Sequence, residues 1–240
     1  MIVNPFNADL SNSYSLSFDG TNDFVDADNC ATAFDACNAE GTFVCWINTT
    51  ATSGSKHLFR AVADSSNEIF IFWHNSSDEW RFTYEAGGTG KKVQHAAGTT
   101  DSDTTWRHFA MTWSASADEL KAYVNGTIVE EPVGSLGTFS GTIAAVDFGS
   151  NTAGGAYFKG YMDEVAIWNE ALTAAEITAI YNGGTGHIPF DKTSGAYASS
   201  ANLKGWWRFE EGSGGLIDNA RISGTDLVLT NGATHNSTVL

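Results

Sequence analysis

Positive charge is scarce in this chain: 12 Lys and Arg stand against 28 Asp and Glu over 240 residues, a formal net charge of −16. So acidic a surface repels phosphate backbones and anionic headgroups, which excludes nucleic acid as a partner class. Long apolar runs are missing as well. No stretch approaches the roughly 20 residues of a membrane span, so membrane insertion is not expected, and residues 1–6 have neither the basic nor the apolar region of a secretion signal. Cysteine is limited to three residues, which cannot all pair with one another. Cys30 and Cys37 share a loop in which a local bridge is open, while Cys45 lies in an apolar strand suited to a buried thiol; without a secretion signal, three reduced cysteines are expected. Helical periodicity is absent over 15–168.

What is present is apolar and aromatic. Hydrophobic residues make up 42% of the chain and eight are Trp, too much apolar surface for a disordered protein. Short alternating runs separated by Gly, Asn, Asp and Ser read as strands of an antiparallel sandwich. Residues 15–18 alternate before a turn at 19–23 and the strand start Phe24-Val25. In 42–47, Phe43, Cys45 and Ile47 share one face and Val44 and Trp46 the other, so both faces are apolar and the strand belongs in the middle of a sheet. Residues 69–73 read the same way. Trp80, Phe82 and Tyr84 share one face opposite Glu79, Arg81, Thr83 and Glu85, as in a half-exposed strand.

Strands follow at 106–113 and 120–124, the second leading into the hairpin signal Asn125-Gly126, and then at 143–148 and 161–168, separated by a Gly-rich loop at 149–155 that forms a candidate rim. One short helix is expected after Thr173, because Thr173-Ala174-Ala175-Glu176 is a capping box and Leu172 can pack on Ile177. Gly183-Gly184 ends it. The expected architecture is all-β: a two-sheet antiparallel jelly-roll sandwich with one short helix.

Four segments, read together, resemble the laminin-G-like jelly rolls of the concanavalin A-like superfamily, which includes pentraxins, legume lectins and some glucanases. They are Ser15-Leu16-Ser17-Phe18-Asp19-Gly20-Thr21-Asn22-Asp23-Phe24-Val25, Thr42-Phe43-Val44-Cys45-Trp46-Ile47, Trp106-Arg107-His108-Phe109-Ala110-Met111-Thr112-Trp113, and the stretch from Gly160 through Asp163-Glu164-Val165-Ala166-Ile167-Trp168 to Tyr181. The last resembles the pentraxin-like closing strand and helix. The resemblance spans 15–184, and it implies a fold more firmly than an activity.

Retaining glucanases need an acid and a nucleophile about 5 Å apart. Adjacent Asp163 and Glu164 point to opposite faces of a strand, and Ala166 and Ile167 follow where further carboxylates are needed, so no enzymatic activity is expected. His108 reads as a core residue. The resemblance implies that calcium is the ion to consider, and Asp19, the Gly20 carbonyl, Asp23 and Asp163 offer hard oxygen ligands for it; the alternative is that Asp19 and Asp23 merely shape the turn. The loop at 149–155 has no carboxylate, which argues against a pentraxin-style pair of calcium ions. Sugar binding needs aromatic platforms flanked by polar groups, for which Trp73, Asn75, Trp80 and Tyr84 are the candidates, although most aromatics of alternating strands are core.

Beyond 1–186, the span assigned to the jelly roll, 187–240 forms an extension with a Trp-rich segment. Leu203-Lys204-Gly205-Trp206-Trp207-Arg208-Phe209 and 226–232 resemble a motif that commonly precedes a laminin-G-like domain. Trp206, Trp207 and Phe209 require burial, either on the same sandwich or on a neighbouring subunit, where they would act in assembly. Similar segments with a trailing Trp-Trp motif occur in phage virion proteins. The function expected is a non-catalytic structural, decoration or adhesion protein at a virion or extracellular surface. It is expected to be a homo-oligomer and to bind glycans with calcium or other surface proteins. The alternative is a free or cell-surface bacterial lectin module.

Overall fold

The computed structural model describes residues 12–49, 54–96, 105–130, 133–184, 188–215 and 227–240. The boundary placed at 186/187 and Asp226 lie outside the described residues. The elements are β1 (Ser15–Asp19), β2 (Phe24–Asp26), α1 (Ala31–Asp35), β3 (Glu40–Asn48), β4 (Lys56–Asp64), β5 (Asn67–His74), β6 (Glu79–Ala86), β7 (Thr89–Ala96), β8 (Arg107–Ser114), β9 (Glu119–Val124), β10 (Thr127–Ile128), β11 (Ala145–Phe148), β12 (Lys159–Trp168), α2 (Ala174–Tyr181), β13 (Leu203–Trp207), β14 (Val228–Thr230) and β15 (Thr234–Asn236). Sheet A runs β10-β9-β8-β3-β12-β1-β15, with β13 also paired to β12; sheet B runs β14-β2-β11-β4-β5-β6-β7. The strand pairings are antiparallel. The two-sheet antiparallel sandwich is therefore the architecture, with α1 as a second short helix where the sequence reads as a loop. No described helix is long and apolar enough to cross a membrane.

Alternation decides which side chains meet between the sheets. Phe43, Cys45 and Ile47 of β3 join Ile69, Ile71 and Trp73 of β5 and Trp80, Phe82 and Tyr84 of β6 in one buried cluster. All three cysteines are free and buried. The opposite parity of β3 and β12 faces outward from sheet A and is buried by a second layer: Val44, Ala110, Tyr123, Ala166 and Trp168 pack against Leu172, Ile177 and Ile180 of the α2 region and Phe190, Tyr197 and Trp206. The start of α2 is fixed by a complete capping box between Thr173 and Glu176, and its end by Asn182 in the left-handed conformation, one residue before the expected glycines.

The Trp-Trp dipeptide of β13 serves both layers, because adjacent strand residues point to opposite faces. Trp207 enters the inter-sheet core, stacked 6.4 Å from Phe34 and 5.8 Å from Phe148. Trp206 enters the outer layer, 5.0 Å from Phe190, and donates its indole N–H to Glu164 at 2.6 Å. Glu164 sits at positive φ (49°) in a bulge of β12 and also receives Arg208 Nε at 2.9 Å, both side chains being almost wholly buried. Further along, β14 extends sheet B beside β2 and β15 extends sheet A beside β1. The assembly assignment of Trp206, Trp207 and Phe209 is corrected accordingly: at 1%, 0% and 0% exposure, they are consumed by the cores of their own chain and present no surface to a neighbour.

His108 lies on the outer face of β8, fully buried, with its ring 5.2 Å from Trp46 and 6.1 Å from Tyr181. Neither ring nitrogen has a partner, and burial pushes its pKa down to about 3.

Two outcomes follow from this packing. Trp207→Ala leaves a cavity between the sheets and should cost about 3–5 kcal/mol, read from the midpoint of urea unfolding. For His108 the unfolded chain binds a proton that the folded chain refuses, so its contribution is fully present above pH 6.5 and is lost as pH falls towards about 3. Unfolding measured across that window should depend less steeply on pH in His108→Phe than in the wild type.

Candidate functional site

Unlike sheet A, sheet B has one buried face. Its other face carries a row that crosses every strand: Val228, Asp26, Asp147, Arg60, Phe70, Thr83 and Lys92 are successive register partners. A neighbouring row sets His57, Phe72, Arg81 and Gln94 side by side, and His74 faces Glu79 beyond it. Pleating forces this arrangement, since Ile69, Ile71 and Trp73 take the inward positions of β5 and leave Phe70 and Phe72 outward and partly exposed.

The outward aromatics form a continuous patch. His57 stacks on Phe72 at 5.2 Å and 16°, Phe70 lies 5.5 Å from Phe72, and His74 meets Phe72 edge-on at 5.9 Å. Arg60 and Arg81 lie over Phe70 and Phe72, each with its guanidinium carbon 5.8 Å from the ring centre. Both arginines are held by carboxylates, Arg60 by Glu68 at 2.7 Å and Arg81 by Glu79 at 2.6 Å. Gln94 also donates to Glu79 at 2.6 Å, and Arg60 reaches the Asn151 carbonyl at 2.7 Å, which ties the Gly-rich loop to the sheet. Burial, reinforced by Arg60, pushes His57 down to about 4, so its ring is neutral at pH 7. Burial works against the Glu79 carboxylate, but the hydrogen bonds from Arg81 and Gln94 outweigh it and hold its pKa below the usual range.

The electrostatics of this region differ from those of the whole chain. Five of the 12 basic residues (Lys56, Arg60, Arg81, Lys91, Lys92) fall within 56–96 against five acids (Asp64, Glu68, Asp78, Glu79, Glu85), so β4 to β7 contribute nothing to the net −16. At the other end of the same face, ligand atoms of Asp26, Asp28 and Asp147 all lie within 4.8 Å of one another. Burial raises Asp147 to about 6; the Ser150 hydroxyl hydrogen bond opposes this, and repulsion from Asp28 and Asp26 adds to it. Asp28 accepts the Val146 N–H at 2.8 Å, and Asp147 accepts Ser150 Oγ and the Thr152 N–H. This group of three oxygen donors suits a hard cation.

Most residues singled out from the sequence lie elsewhere. Trp73, Trp80 and Tyr84 are 5%, 2% and 0% exposed and point between the sheets, so as a sugar platform they are corrected to core. Asn75 is exposed and accepts the Gly54 N–H at 3.0 Å. The four proposed calcium ligands are not brought together. Asp19 Oδ1 accepts the Thr21 N–H at 2.6 Å and Asp23 Oδ2 accepts the Asp19 N–H at 2.9 Å, closing the turn that contains Gly20. Asp163 lies four positions along β12 from Lys159, the partner of Asp19, roughly 13 Å away at strand rise, and is buried against Asn12 at 2.8 Å. Burial, then Glu164, drives its pKa well above the carboxylate range. The sequence signal for the outer face of sheet B was the parity of β5, in which Glu68 and His74 alternate in phase with Phe70 and Phe72, an uncommon mixture for a strand buried on both sides.

Residues 19–178 match the concanavalin A-like lectin/glucanases superfamily through its laminin-G-type family. The chain belongs to this superfamily. No curated protein matches its sequence. Among solved structures it is similar to a candidate carbohydrate binding protein of Bacteroides ovatus (16% identity, TM-score 0.63, 95% of this chain and 60% of that one). The chain thus spans about 60% of the length of that relative. It is also similar to the heptameric SAP-like pentraxin of Limulus polyphemus (13% identity, TM-score 0.57, 91% and 94%) and to the CBM40 of the Ruminococcus gnavus IT-sialidase, solved with α2,3 sialyllactose (16% identity, TM-score 0.55, 70% and 95%). At these identities the likeness is one of fold.

Proposed function

We propose that this superfamily member is a non-catalytic carbohydrate-recognition module that engages glycans on the outer face of sheet B. The observation that carries the reading is the patch of Phe70, Phe72, His57 and His74 ringed by Arg60, Glu68, Arg81, Glu79 and Gln94. Pyranose rings present apolar C–H faces and polar edges, so a sheet surface with aromatic rings inside and paired donors and acceptors around them is complementary to both. The neutral charge balance of β4 to β7 admits neutral and anionic sugars alike. Asp163 and Glu164, the carboxylates considered for hydrolysis, are spent on Asn12, Trp206 and Arg208. The acidity of the rest of the chain suits display on an exposed virion or extracellular surface, where self-association would multiply weak single-site affinity.

Calcium belongs to the same proposal. The carboxylates of Asp26, Asp28 and Asp147 would hold the ion, which supplies positive charge beside Arg60 and relieves the repulsion among the three acids.

A glycan array probed with the full chain, with and without calcium, should show specific binding, and Phe72→Ala and Arg81→Met should each weaken it by about tenfold or more. Absence of binding to any glycan in both conditions sinks the reading. Separately, millimolar calcium should raise the thermal unfolding midpoint of the wild type and leave Asp147→Asn unchanged; equal responses of the two proteins would remove calcium from this cluster.

A further inference from the structure

The opposite face of the molecule carries a cavity of about 320 Å³ that sheet B does not contribute to. Its floor is the outer face of sheet A, where Thr112 and Ser114 of β8 stand beside Lys121 and Glu119 of β9 as register partners. One wall is the segment 171–174 that leads into α2, and Ile128 of the edge strand β10 lines the cavity as well. The wall is held rigidly. Thr42 Oγ1 donates to the Glu170 carbonyl at 2.7 Å and accepts the Leu172 N–H at 2.8 Å, while the capping box pins Thr173 to Glu176. A cavity between a sheet floor and a doubly tied wall is preformed, and its volume lies at the lower end of the range for small-ligand sites, about 300–1,000 Å³.

The chemistry of the lining narrows the ligand. Glu40 and Glu119 are strong acceptors, Lys121 is a strong donor, and the Thr112 and Ser114 hydroxyls serve as either. Lys121 Nζ and Glu119 are 2.5 Å apart and partly exposed, at 28% and 45%, so both remain reachable from solvent. An anion would meet two carboxylates here and an apolar ligand would strand charged groups, whereas a hydroxyl both donates and accepts. Ile128, 43% exposed, is one of three large apolar side chains so open to solvent among the described residues. With Leu172 and Ala171 it offers methyl groups to the apolar face of such a ligand.

We infer that this groove is a second ligand site, separate from the sheet B face, and that it takes a single saccharide residue or a polyol of similar size. Occupancy of both faces would let one chain bridge two glycans. The inference does not rest on the sheet B reading, because the two sites lie on different sheets and share no residue.

The test uses the full-length chain labelled at its Ile and Leu methyl groups, titrated with methyl glycosides of glucose, galactose and N-acetylglucosamine. At millimolar glycoside, the Ile128 and Leu172 methyl resonances should shift saturably with at least one of the three. Lys121→Met should weaken that titration by about tenfold, and Ile128→Arg, at an exposed position that tolerates the change, should abolish it at the Leu172 methyls, the reporter that this variant keeps, with the thermal midpoint retained. Phe72→Ala should leave it unaltered. Methyl resonances that stay fixed with all three glycosides, or shifts that persist in Ile128→Arg, overturn the inference. Shifts lost in Phe72→Ala transfer the effect to sheet B and overturn it as well.

Discussion

The central strands of sheet A carry buried side chains on both faces, and water has to be kept from both. Nine consecutive positions from Glu40 to Asn48 include eight buried residues, and the last seven positions of β12 are all buried. One face is closed by sheet B. Closing the other requires α2, the segment around Phe190 and Tyr197, and β13, whose Trp206 and Trp207 fill one layer each. The bulge at Glu164 belongs to the same requirement: it turns a carboxylate into the outer layer, where Trp206 and Arg208 satisfy it, so that a charge buried at the heart of the fold becomes an anchor for the C-terminal segment. Removing either partner would leave an uncompensated buried charge.

Sheet B escapes this demand. With one face in the core and the other uncovered by any described helix, it is free to mix aromatic, cationic and acidic groups on its outward face. The groups of the proposed glycan site stand on the face that the core does not need. The Gly-rich loop after β11 supports this face through the Asn151 carbonyl bonded to Arg60, and the acidic trio of Asp26, Asp28 and Asp147 sits where β2 and β11 run side by side. On sheet A, by contrast, the outer groove lies over β8 and β9 beside the start of α2.

The legibility of these features in the sequence followed their periodicity. Phe43, Cys45 and Ile47 against Val44 and Trp46, and Trp80, Phe82 and Tyr84 against Glu79, Arg81 and Thr83, announced their strands and their faces, because alternation is a property of the chain alone. The capping box of α2 and the Asn125-Gly126 turn were equally local. Residues 69–73 read as a strand apolar on both faces and central to a sheet, and β5 is central to sheet B; its second face stays partly exposed because no further layer arrives, which only Glu68 and His74, in phase with Phe70 and Phe72, signal in the sequence. The Trp residues taken for a sugar platform failed for the converse reason: the parity that exposes Arg81 sends Trp80 inward. Asp19 and Asp23, considered as calcium ligands with turn formation as the alternative, shape a turn in which one oxygen of each accepts a backbone N–H.

By itself the sequence determined the class of architecture, the positions of the turns and the family to which 19–178 belongs, since these depend on period, turn chemistry and order along the chain. Only the tertiary structure decided which second faces are covered, that Asp26 and Asp28 meet Asp147 across more than a hundred residues, and that the Trp-rich segment fills the cores of its own chain. Those outcomes depend on strand order and register, which are set by long-range pairing and leave no mark in a local pattern.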